Sequence, residues 1–111
     1  MPLKPGYHRG KHFSAWVDAV REFERAGQLD QALELLTNLV AATEAESRAN
    51  ACGVAPWYFE QIAVIHRQRG DLRAELAILE RYAEQRKAPG AGPAKLSARL
   101  ERVRDLMKPS S

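Results

Sequence analysis

His8 and His12 stand four residues apart in GYHRGKH, and on a helix that spacing would turn both imidazoles toward one metal ion. Gly6 and Gly10, with Pro2 and Pro5 nearby, argue against a helix there, and no third ligand follows. The same heptapeptide is a poor phosphate-binding loop. It is one residue short between its glycines, ends in His rather than Ser or Thr, and follows no hydrophobic strand. A third histidine, His66, shares APWYFEQIAVIHRQRGDL with Glu60, a pair that could serve as base and acid. Six helical residues amount to about 600° of rotation, which places the two on nearly opposed sides of the helix. Ser14, Ser47 and Ser97 lack the strand–turn–helix setting of an exposed nucleophile. Cys52 is the single cysteine, so the chain can form neither an internal disulfide nor a cysteine-based metal cage. The expectation is a non-enzymatic protein with no catalytic residues, no metal and no cofactor.

The elements that would position these residues can be read from apolar periodicity. Phe13, Trp16, Val20 and Phe23 recur at three and four residues and define a first helix, stopped by Gly27. A second helix begins after Asp30, as its N-cap, with the stripe Ala32, Leu33, Leu36, Leu39, Val40 and Thr43, and runs to about Ala51. The tight connection between them predicts that the two lie antiparallel. Pro56 suits the first turn of a third helix, whose inward face is Phe59, Ile62, Ala63 and His66 and whose end is Gly70. Tyr58 falls on another face. Asp71 caps a fourth helix with Leu72, Leu76, Leu79 and Tyr82 or Ala83 inward. A Pro/Gly linker over 87–93 leads to a short amphipathic helix over 94–107, striped by Leu96, Leu100, Val103 and Met107, and a loose tail over 108–111. Nothing alternates with period two over a useful length, so the fold class is all-α.

The first two helices and the next two repeat one another. With Gly27 laid on Gly70, Trp16 meets Phe59, Ala19 meets Ile62, Val20 meets Ala63, Phe23 meets His66 and Leu36 meets Leu79. This pattern resembles the tetratricopeptide repeat (TPR), a helix pair with a large residue early, small ones midway and a turn glycine. The matching residues are Trp16, Ala19, Val20, Phe23, Gly27, Ala32 and Leu36, then Phe59, Ile62, Ala63, Gly70, Asp71 and Leu79. The two units are offset by more than the usual repeat, which assigns an insertion to TEAESRANACGV. Glu75 stands where the family prefers alanine, and His66 where an aromatic ring is usual. The resemblance implies two TPR-like antiparallel hairpins over 13–86 plus a C-terminal helix. It also implies a concave face lined by the first helix of each unit: Ser14, Val17, Arg21, Glu24 and Arg25, with Trp57, Glu60, Val64, Arg67 and Gln68. Such a surface binds a protein or peptide partner, and Trp57 and Arg67 are its expected anchors, because tryptophan and arginine dominate interface energetics.

The chain of 111 residues has 45% apolar and 28% charged residues, a globular composition for one domain. Its net charge of +3 is unevenly spread. The first twelve residues hold only cations, the body over 13–85 is acidic, and residues 86–111 are basic again. The alternative reading therefore uses the basic N-terminal arm over 1–12 and the last helix to associate with nucleic acid, through Lys4, Arg9, Lys11, Lys95, Arg99, Arg102 and Lys108. No apolar run is long enough to span a membrane, and no apolar segment follows the basic start as in a signal peptide. A cytoplasmic adaptor is expected, with no membrane partner. The abundance of arginine and alanine suggests a bacterial or phage source. The apolar stripe of the last helix adds a homodimer as an expectation.

Overall fold

The computed structural model describes residues 4–109. The order is β1 (Tyr7–His8), β2 (Lys11–His12), a 3-10 turn over Phe13–Trp16, then α1 (Val17–Arg25), α2 (Leu29–Asn50), α3 (Pro56–Gln68), α4 (Leu72–Ala83) and α5 (Gly92–Met107). The chain is thus mostly helical, as the periodicity predicts. Along it, α1 packs on α2, α2 on α3, α3 on α4 and α4 on α5, and α3 also touches α5. The core runs through all of these contacts. Val20, Leu36, Leu39, Val40, Phe59, Ala63, Leu79, Leus at positions 96 and 100, and Val103 are buried in it.

Helix ends follow local chemistry. Asp71 accepts a hydrogen bond from the Ala74 backbone at 3.0 Å, the N-cap expected of it. Asp30 does not cap. Helix α2 starts at Leu29 with Gln28 as its N-cap, two residues ahead of the expected start, and Asp30 sits in its first turn, where a carboxylate is favoured by the helix dipole and where Arg69 reaches it at 2.9 Å. Pro56 and Pro93 both occupy first turns, and Pro93 draws the start of α5 back to Gly92, ahead of the expected position 94.

The N-terminal arm is where the sequence reading departs most from the structure. Tyr7 pairs with His12 and His8 with Lys11 in an antiparallel ribbon. Arg9 and Gly10 form its two-residue turn with φ of 50° and 81°, the twist a tight hairpin needs. Two-residue strands are too short to show alternation, so periodicity could not announce them. The ribbon and the 3-10 turn pack against α2, and Phe13 at the start of the turn meets the buried Tyr58 of α3, with ring centroids 5.2 Å apart.

The linker is also anchored at its start. The Val54 backbone donates to the Arg86 carbonyl at 2.9 Å, and Val54 forms an isolated parallel bridge with Lys87. Gly53 makes this approach possible: its φ is +83°, and a Cβ there would overlap the backbone of Lys87 and Ala88. Residues 1–3 of the arm and 110–111 of the tail lie outside the described residues.

Candidate functional site

Four side chains of α3, Trp57, Glu60, Val64 and Arg67, follow at intervals of three, four and three, so they form one stripe. Three of them reach across to a neighbouring helix. The Arg21 guanidinium of α1 lies 5.8 Å from the centre of the Trp57 ring, within cation–π range. Lys95 of α5 meets Glu60 at 2.9 Å. Arg67 donates through Nε to Glu75 Oε1 at 2.6 Å, and the other oxygen of Glu75 accepts from Nε of Arg99 on α5 at 2.9 Å.

Glu75 belongs to α4 and has no exposed surface. A lone carboxylate there would carry a large desolvation cost, which the two guanidinium groups offset. The arginines themselves remain partly in solvent, at 36% and 26% side-chain exposure. A second buried glutamate, Glu44 of α2, is held differently. Arg81 of α4 grips it with a fork, Nε to Oε2 at 2.8 Å and Nη2 to Oε1 at 2.6 Å. That hydrogen bonding raises the Arg81 pKa in spite of its burial. On the α1 side, burial pushes the Glu24 carboxyl up, and the nearby Arg21 charge partly offsets this.

The structure therefore brings together Arg21 with Trp57, Glu60 with Lys95, and Arg67 with Arg99. The last two pairs draw one member from each of the two expected sets. Val17 is half-buried against the core, Val64 is half-buried on the stripe, and Gln68 is exposed at the end of α3. Arg25 turns to Glu22 of its own helix at 3.0 Å. Of the remaining basic residues, Lys4 lies over the Tyr7 ring at 4.3 Å and Lys11 over the Trp16 ring at 5.1 Å. Lys108 pairs with Asp105 at 3.1 Å, Arg9 forms the hairpin turn, and Arg102 is exposed.

His8 and His12 occupy opposite faces of the ribbon, because His8 is paired with Lys11 and successive strand residues switch faces. His8 packs on Trp16, with centroids 5.2 Å apart. His12 accepts from the Ser14 backbone at Nδ1, 3.3 Å, which leaves Nε2 to donate to Glu46 of α2 at 2.6 Å. Among the described residues no group of three or more His, Cys, Asp or Glu is placed to hold a metal ion. His66 lines a cleft with Thr37, Val40, Ala74 and Arg81, on the far side of α3 from Glu60. Burial lowers its pKa, with Asp71 opposing.

Glu75, Glu44 and the His12–Glu46 link were not identified from sequence. Glu75 had a readable signal: it sits three residues after Leu72 and four before Leu79, within the apolar stripe of α4. Glu44 continues the buried side of α2 but lies at the border of its stripe, and its partner is 37 residues away. Compared with protein-family models, with curated proteins and with solved structures, the chain gives no match.

Proposed function

We propose that this chain is a non-enzymatic protein-interaction module, a TPR-like stack of helical hairpins that binds a segment of a partner protein along the α1–α3–α5 face. In this reading α1 and α3 are the first helices of two units, and α5 takes the place of a third first helix. The carrying observation is the α3 stripe. Trp57, Glu60 and Arg67 are each held by a residue of a flanking helix, so an aromatic ring and several charges are pre-positioned on one face. Pre-positioned side chains lose little entropy when a partner docks, which favours affinity. Trp57 supplies the apolar anchor, Val64 continues the contact, and the flanking ions set register. Binding would proceed by surface complementarity with no chemical step, and the setting we infer is an adaptor in a bacterial or phage cytoplasm.

The alternative, nucleic-acid association through the basic ends, draws less support. Lys4, Lys11, Lys95, Arg99 and Lys108 all contact rings or carboxylates of their own chain. The test is capture of partners from lysate of the source organism by tagged protein, with and without nuclease, for the wild type and for Trp57→Ala. The expected outcome is a protein partner that survives nuclease and is lost with Trp57→Ala while helix content is unchanged. Partners that vanish with nuclease would move the assignment to the basic ends.

A further inference from the structure

We infer that Arg67 and Arg99 form one oxyanion subsite, and that its ligand is a side-chain carboxylate of an acidic peptide segment. This rests on the reading of the α1–α3–α5 face as a partner surface. Two guanidinium groups here share a single carboxylate, so among the described residues one positive charge is left without a counter-charge. The balance next to it is closed, because Lys95 is matched by Glu60.

The way Glu75 is gripped decides what remains on offer. Arg81 uses both Nε and Nη2 on Glu44, a fork that saturates its partner. Arg67 and Arg99 each use Nε alone, and among the described residues their Nη nitrogens donate no hydrogen bond. Since the two Nε atoms hold the two oxygens of one buried carboxylate, both planes are fixed about a common point. Each guanidinium thus keeps N–H donors unused, and both side chains stay partly in solvent. Fixed guanidinium edges are suited to bidentate recognition of a carboxylate, with the ordering cost already met by Glu75.

A peptide carboxylate fits better than a nucleic-acid backbone. Regularly spaced phosphates need a continuous cationic track. The stripe beside the arginines instead holds Val64 and Trp57, with Glu60 neutralised by Lys95, so it offers no further free cations to a phosphate chain but can take the apolar side chains that accompany acids in a peptide segment.

The test uses the full chain and a fluorescent hexaglutamate peptide, with hexaglutamine, inorganic phosphate and a single-stranded oligonucleotide in parallel. Hexaglutamate is expected to bind and hexaglutamine not to bind. Arg67→Lys and Arg99→Lys, which keep the charge but lose the planar fork, are expected to weaken hexaglutamate about tenfold, and Arg73→Lys, at an exposed position of α4, to leave it unchanged. A readout free of any variant is the nitrogen-15 spectrum of the wild type, where the Arg67 and Arg99 guanidinium signals should shift on adding hexaglutamate. Unmoved signals, equal affinity in the lysine variants, or tighter binding of the oligonucleotide or of phosphate would each overturn the proposal. If the natural partner still depends on Trp57 while hexaglutamate fails, the subsite is wrong and the partner surface stands. Loss of both would remove the surface as well.

Discussion

A glutamate without exposed surface has to be held by cations, and at Glu75 the two that hold it come from different helices, α3 and α5. From sequence, Arg67 is expected to meet a protein partner and Arg99 nucleic acid. Sequence does not join them, because the residue that does so looks like a misfit in an apolar stripe. His66 was easier to read, since its place on the inward face of α3 follows from spacing alone. Its consequence is a pH dependence. Burial lowers the His66 pKa below its ordinary 6.5, so the folded chain keeps the ring neutral where the unfolded chain has begun to protonate. In the window between the folded value and 6.5 the unfolded state binds more protons, and stability rises with pH. The contribution is complete above 6.5 and is lost as the pH falls through that window. His66→Gln is therefore expected to flatten the acid side of the stability curve, measured by urea denaturation from about pH 7 to about pH 5. A slope equal to the wild type would assign the acid loss to other groups.

At the scale of elements, the helices were legible and the connections were not. Apolar stripes, Pro56, Asp71 and the two turn glycines mark α1 to α4 from composition and spacing. The hairpin escaped notice because its two strands are only two residues each, and the side-chain tie that docks it on α2, from His12 to Glu46, spans 34 residues. The Phe13 backbone donates to the Gly6 carbonyl at 2.8 Å, Trp16 Nε1 donates to the His8 carbonyl at 3.2 Å, and His12 donates to Glu46. Glu46 is the one tie among these that belongs to α2. Replacing it by alanine should cost about 1 kcal/mol, a charge-assisted hydrogen bond discounted for its partial exposure. The expected signature is faster amide exchange confined to the hairpin, with far-ultraviolet helix signal unchanged. A uniform rise in exchange across all five helices would show that the hairpin is integral to the helical stack.

For the whole molecule, the apolar stripe of the last helix is the feature of the sequence that predicts a homodimer. Leu96, Leu100 and Val103 are covered by the chain itself, and among the described residues the large apolar side chains left exposed are Leu106 and Met107. That removes most of the surface on which self-association was expected. Among the described residues no helix is long and apolar enough to cross a membrane. What the assembled chain offers instead is an elongated body of 54 × 33 × 24 Å, with α3 linked through its side chains to α1 and α5. We propose that this face, and not the opposite one formed with α4, receives the partner. The most direct measurement is photocrosslinking in host cells from a benzoylphenylalanine placed at Val64 on the α3 stripe or at Ala77 on the exposed side of α4. The account predicts a protein adduct from position 64 that survives nuclease, and none from position 77. An adduct from position 77 alone, or one that nuclease abolishes, would contradict it.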